Sequence, residues 1–313
     1  MRYWLEVALL WALTLVGPGW SVAVPAQTPV ARVGVLVTPL AGTDEAMAQY
    51  YEPFRRMLAQ QGWIEGKNLS LEYRRARGSP PRYEEPAAEL ASLRVDVIYA
   101  SSAPATRAAY AATQIVPIIA RDYTNDPVAV GYAESYGHPG RNLTGVFLDA
   151  PEFVGKWLQQ LKAIVPGLSR VAVLWDPTPV RTHLSAIQEA AKAFAIQTQV
   201  LEVRKLDDID SAFAALRPQT QALIILPSPM TWAQSPRLAK LAKERRLPAA
   251  SMPDLFAESG GMLSYGPDFV SDNERCAMLV ARVLRGVKVG DLPIERPAKF
   301  QLIINSRRLE HLA

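Results

Sequence analysis

Few side chains in this sequence are equipped for covalent or metal chemistry. There is one cysteine, Cys276, and there are three histidines, His138, His183 and His311. A single cysteine excludes an internal disulfide and a multi-cysteine zinc site, and no two histidines form a His-x-x-x-His pair. Thr38-Pro39-Leu40-Ala41-Gly42 follows the first apolar run, where a dinucleotide fold carries Gly-x-Gly-x-x-Gly. Neither a Walker-type phosphate loop nor a Gly-x-Ser-x-Gly elbow occurs. His183 is expected at the solvated start of a helix and His138 in a surface loop beside Pro139-Gly140, neither with an evident nucleophile. Cys276, among Ala277, Met278 and Leu279, reads as a buried, inert thiol. No catalytic residue, cofactor or metal is assigned.

The residues left over suit reversible binding. Ser101-Ser102 stands at a strand end just before a helix that starts near Pro104. Hydroxyls and backbone N–H groups there suit a carboxylate, and they equally suit an ordinary helix N-cap. Asp122 or Asp126 fits a ligand ammonium, although Asp126-Pro127 also reads as the start of the next helix. Tyr123 and Trp175 offer aromatic walls, with a core role open to Trp175 as well. Thr38, Asn125, Asp176, Ser228 and Met252 occupy equivalent strand-end loops, and Tyr265 is expected to close the pocket.

These positions share one kind of address. Arg32–Val37, Val97–Ala100 and Val116–Ala120 are short apolar runs ending in turn residues, as are Arg170–Trp175, Leu223–Leu226 and Leu247–Ser251. Helical stretches lie between them, roughly Asp44–Gln61 and Val180–Ala195 after the first run of each half. Such alternation implies buried parallel strands with right-handed crossovers. The halves resemble each other in order: Arg32 with Arg170, Leu71-Glu72-Tyr73-Arg74 with Leu201-Glu202-Val203-Arg204, Val97 with Leu223, and Pro117 with Pro248. The four separations run only from 126 to 138 residues. The fold class is therefore α/β, with two doubly wound parallel-sheet lobes. Ligands bind beyond the carboxyl ends of such strands, and a cleft between two lobes is a usual small-molecule site.

Later segments suggest that the chain returns between lobes. Gly260–Gly266 reads as a strand, Asp268 as the cap of a helix over Asn273–Arg285 that Gly286 ends, and Lys299–Asn305 as a last strand. The expected organisation is lobe 1 over 27–147 with about 267–290 returning to it, lobe 2 over 148–266, and a final crossover and terminal strand over 291–313.

The remaining class questions concern surface and compartment. The 313 residues are 49% hydrophobic and 20% charged, which excludes a disordered chain and suffices for a core without staples. A net charge of +4 with 34 basic and 30 acidic residues is too balanced for a nucleic-acid binder. Val7–Val16 is an apolar run too short for an ordinary span, followed by Gly17-Pro18-Gly19 and then Ser21, Ala23 and Ala26. That pattern reads as a signal peptide over 1–26, with a retained anchor helix as the other reading. No cysteine follows it for a lipid anchor, so a soluble exported protein, retained in a periplasm, is expected.

Several fragments, in order, resemble exported substrate-binding proteins of ABC transporters, in the branch that includes tryptophan/tyrosine-type binders. They are Gln61-Gly62-Trp63-Ile64-Glu65-Gly66-Lys67-Asn68-Leu69 with Leu71-Glu72-Tyr73-Arg74, Asp126-Pro127-Val128, Pro139–Gly145, Gly260–Gly266, Asp291-Leu292-Pro293, and Lys299–Asn305. The resemblance implies the periplasmic-binding-protein type I fold, with three hinge crossovers joining the lobes. It also implies a monomer that captures a small molecule, an amino acid or related carboxylate, and delivers it to a permease with its ATPase. Departures at Ala100–Pro104 and Asp176-Pro177 lie in the pocket loops, so aromatic amino-acid specificity does not carry over. A ligand-sensing subunit and an exported α/β enzyme are the alternatives: permease genes beside this one favour transport, a histidine kinase favours sensing, and turnover favours an enzyme.

Overall fold

The computed structural model describes residues 30–37, 44–77, 82–148, 150–177 and 182–305. The expected signal peptide, Thr38 and His311 lie outside them.

The first sheet is built from β1 (Ala31–Val37), β2 (Leu69–Arg75), β3 (Val97–Ala100), β4 (Ile118–Asp122) and β5 (Leu143–Phe147), with α1 (Asp44–Gln60), α2 (Glu84–Ser92) and α3 (Ala103–Ala112) between strands. After β5 come α4 (Ala150–Ile164), β6 (Arg170–Trp175), α5 (Thr182–Ala193), β7 (Gln197–Glu202), α6 (Asp208–Ala214) and β8 (Ala222–Ile225). Then α7 (Pro229–Ala233), α8 (Ser235–Glu244), β9 (Ala249–Ser251), α9 (Asp254–Glu258), β10 (Leu263–Pro267), α10 (Phe269–Leu284) and β11 (Phe300–Ile304) complete the chain. The sheets run β2-β1-β3-β4-β5 and β7-β6-β8-β9-β10-β11, parallel throughout except for antiparallel β11.

The central strands of each sheet, such as β1, β3, β6 and β8, are buried on both faces and read as apolar runs, whereas outer β2, β7 and β11 are only partly buried. In the first lobe Tyr51, Phe54 and Leu58 of α1 and Cys276, Leu279 and Val280 of α10 cover one face, while Leu90 of α2 and Ala105 and Ala109 of α3 cover the other. In the second, Trp157 and Leu161 of α4 and Ile187 of α5 face Phe213 of α6 and Leu238 of α8 across the sheet. Each aliphatic or aromatic side chain fully buried this way contributes about 1.5–3 kcal/mol.

The helices reveal an exchange. α4 follows a strand of the first sheet but packs in the second lobe, and α10 follows a strand of the second but packs in the first. Residues 285–299 run back along the first lobe, where the Glu295 backbone bonds Gly145 and Phe147, before β11 joins the second sheet. The chain thus passes between sheets three times. Asp268 caps α10 by accepting from the Ser271 N–H at 3.1 Å, and Gly286 ends the helix at φ +90°. At Gly145 (φ +152°) an added Cβ would lie 1.9 Å from the Ala120 carbonyl oxygen, so only glycine lets β5 approach β4 there.

Strand registers define the repeat more strictly than sequence does. Val33 of β1 pairs with Leu71 and Val97; its counterpart Val171 of β6 pairs with Thr198 and Ala222. Leu71 therefore corresponds to Thr198, and Leu201 lies three residues further along. The matched Leu-Glu-x-Arg segments are a local likeness, not equivalent positions. Both sit on outer strands, where half-exposed side chains leave room for such a slip.

A candidate ligand cleft between the lobes

The carboxyl ends of both sheets meet at one cleft that opens to solvent. The β3–α3 turn supplies Ser101 and Ser102, and the first turn of α3 supplies Pro104; the end of β4 supplies Arg121, Tyr123 and Thr124; α1 supplies Tyr50. Facing them are Pro227, Ser228 and Trp232 at α7, Met252 after β9, and Phe269 at the start of α10. Ser102 and Ser228 cap their helices, accepting from Ala105 N at 3.4 Å and Thr231 N at 3.1 Å.

Of the positions named from sequence, the fold brings Ser101, Ser102, Tyr123, Ser228 and Met252 to this wall. Others serve elsewhere. Asp122 is fully buried, and its carboxylate accepts from Thr124 N (2.9 Å), Thr124 Oγ1 (2.7 Å), Asn125 N (3.2 Å) and Asn125 Nδ2 (2.7 Å). Asp122 and Asn125 thereby pin the loop that presents Tyr123. Burial raises the Asp122 pKa, against those four bonds. Trp175 belongs to the second lobe's core. Asp176 is buried at the end of β6. Tyr265 stacks between Phe153 (5.2 Å) and Phe300 (6.0 Å), not in the cleft.

The chief residue that sequence reading passed over is Arg121. Its side chain is 3% exposed and, among the described residues, makes no ion pair. Its guanidinium donates to Asn273 Oδ1 at 3.1 Å, to the Ser101 carbonyl at 3.2 Å and to the Tyr50 hydroxyl. Its Nε finds no partner. The rings of Tyr50, Tyr123 and Phe269 surround it at 5.3–5.6 Å from their centroids. The signal was a charged pair, Arg121-Asp122, ending a buried strand. Tyr50, Trp232 and Phe269 had no such signal, because tertiary packing alone brings them here.

The cleft is tied to its surroundings by buried polar groups. Asn273 Oδ1 also accepts from Tyr99 (2.6 Å), the Tyr123 hydroxyl donates to Asp272 (2.6 Å), and Tyr51 bonds Ser101 at 2.7 Å. Burial raises the Asp272 carboxyl to about 6. His183, expected at a solvated helix start, is 3% exposed instead; burial lowers its pKa to about 4 while its ring bonds the Tyr123 backbone. The first turn of α5 is the part of that helix facing the other lobe, which removes the solvent a helix start ordinarily meets. Cys276 is fully buried, with its thiol pushed up to about 12 by burial.

The matching family model, ABC transporter substrate binding protein, covers residues 34–313. The chain belongs to that family. This substrate-binding protein is 26% identical over 263 residues to a tyrosine-binding protein of Clostridioides difficile, covering 83% of this chain and 75% of the relative. Its fold matches a conserved domain protein from Vibrio cholerae (TM-score 0.81, 23% identity, 90% and 94% coverage). It also matches a Streptococcus pneumonia ABC domain in complex with L-Trp (TM-score 0.79, 18% identity, 90% and 94% coverage). Among the described residues no helix is long and apolar enough to cross a membrane, and no cluster of metal-ligating side chains occurs.

Proposed function

We propose that this protein is exported to the periplasm, its leader removed near Ala26, and captures a small molecule between its lobes for an ABC importer. The permease and its ATPase are separate chains that receive the closed, loaded form. The observation carrying this reading is the placement of the cleft at the carboxyl ends of both sheets, with walls from each lobe. Three chain passages between the lobes suit hinge closure without covalent chemistry. Ser101, Ser102, Tyr123 and Ser228 supply polar groups to the ligand, while Trp232, Phe269 and Met252 form its apolar seat. The tyrosine-binding relative and the L-Trp complex support a ligand of that size. A thermal-shift screen of amino acids, carboxylates, sugars and nucleosides tests it, because a ligand binding only the folded state raises the melting temperature. No shift with any class at millimolar concentration would contradict it.

A further inference from the structure

The lobes touch through side chains as well as through the three chain passages. The Tyr123 ring packs against the apolar clusters of both lobes. It lies 5.4 Å from the Phe269 ring, which meets the Trp232 ring of α7 edge-on at 4.3 Å. Across the same junction the His183 ring of α5 donates to the Tyr123 backbone carbonyl. His183 stands in the first turn of α5 and is nevertheless 3% exposed. A bond that joins one lobe to the other exists only while the two are closed.

Both ends of that bond are anchored. On the first lobe, the Tyr123 hydroxyl donates to Asp272 at 2.6 Å, and the neighbouring Asp122 carboxylate accepts from the Thr124 and Asn125 N–H groups. On the second, Leu184, Ala186 and Ile187 seat α5 in the core. The bond therefore breaks when the lobes part rather than when a loop bends. Water meets the ring and the carbonyl in the open form, and they satisfy each other in the closed one. Removing the donor alone leaves a buried carbonyl unmet, and that cost falls on the closed form only.

We propose that His183 is a positioning residue that latches the lobes shut through the Tyr123 carbonyl, with or without a ligand in the cleft. A ligand enters and leaves through the open form, so the latch slows capture and release alike. It supports the loaded and the empty closed forms equally, so it sets residence time more than affinity. That consequence rests on the solute-binding reading. The latch itself belongs to the ligand-free chain and is tested there, so its failure leaves solute binding standing.

The test measures opening by thiol labelling with iodoacetamide at pH 8, where the histidine is neutral, in the ligand-free full chain. Met252 lines the cleft and is 1% exposed, so Met252→Cys supplies a thiol that reports on the cleft. Cys276, the one native thiol, is fully buried in the first lobe's core and reports on unfolding in the same sample. With reclosing faster than labelling, the rate follows the open population. In the parent, the cleft thiol should label at least about tenfold more slowly than glutathione. Adding His183→Leu should speed it at least about fivefold and leave Cys276 unchanged. His183→Asn or His183→Gln, which keep an N–H donor, should restore slow labelling in at least one case. Equal cleft rates with and without His183→Leu overturn the proposal, as do equal acceleration of both thiols and failure of both donor-keeping variants. A parent whose cleft thiol labels as fast as glutathione also overturns it, and that arm decides even where His183→Leu does not fold.

Discussion

His183, on α5 of the second lobe, hydrogen-bonds the backbone of Tyr123, which follows β4 of the first. The bond raises the histidine pKa, as donation to a carbonyl does, but burial outweighs it and the ring is neutral down to about pH 4. The unfolded chain takes up this proton near pH 6.5. The His183 contribution is therefore complete above pH 6.5 and lost as pH falls toward 4, by about 2–3 kcal/mol. Asp272 has the opposite sign: its carboxyl, raised to about 6, makes the fold gain stability as pH falls through that range. Denaturant unfolding of wild type and His183→Asn at pH 7 and pH 4.5 isolates the histidine, because Asp272 cancels in the difference. Wild type should lose about 2–3 kcal/mol more than the variant over that interval. Equal losses would contradict the buried, neutral assignment.

Gly145→Ala should be among the most damaging single changes. Its Cβ would overlap the Ala120 carbonyl oxygen, so β4 and β5 would have to part. A loss of at least about 3 kcal/mol is expected. Gly167→Ala is the control: at φ +68° its Cβ meets nothing, and it should cost about 1 kcal/mol. Melting temperatures of both variants check the contrast.

Two tryptophans separate binding from folding. Trp175 is 7% exposed within the second lobe's core, so Trp175→Ala should cost about 3–5 kcal/mol of stability. Trp232 lines the cleft, so Trp232→Ala should weaken ligand at least tenfold with a much smaller change in melting temperature. The reverse pattern would show that the cleft is misassigned.

Strands were the legible part of this fold, because burial on both faces demands runs such as Val33–Val37 that periodicity exposes directly. The paired strand order in the two lobes follows from that repeat. The exchange of α4 and α10 leaves a fainter trace, since an amphipathic helix does not state which sheet it covers. Part of the cleft was legible through the strand-end rule, which found Ser101, Ser102, Tyr123, Ser228 and Met252. Arg121 escaped because an arginine ending a strand is usually solvated, and here three rings and two lobes enclose it. Trp175 and Asp122 stand at the right ends of strands but are turned to packing and loop support. Strand ends specify an address, and side-chain direction at that address is set by tertiary contacts.

The central claim is that one ligand is held by both lobes. Hydrogen–deuterium exchange with and without saturating ligand tests it most directly. Protection should appear together at residues 101–106 and 121–124 of the first lobe and at 228–233 of the second. Protection confined to one lobe, or found only outside these segments, would contradict it.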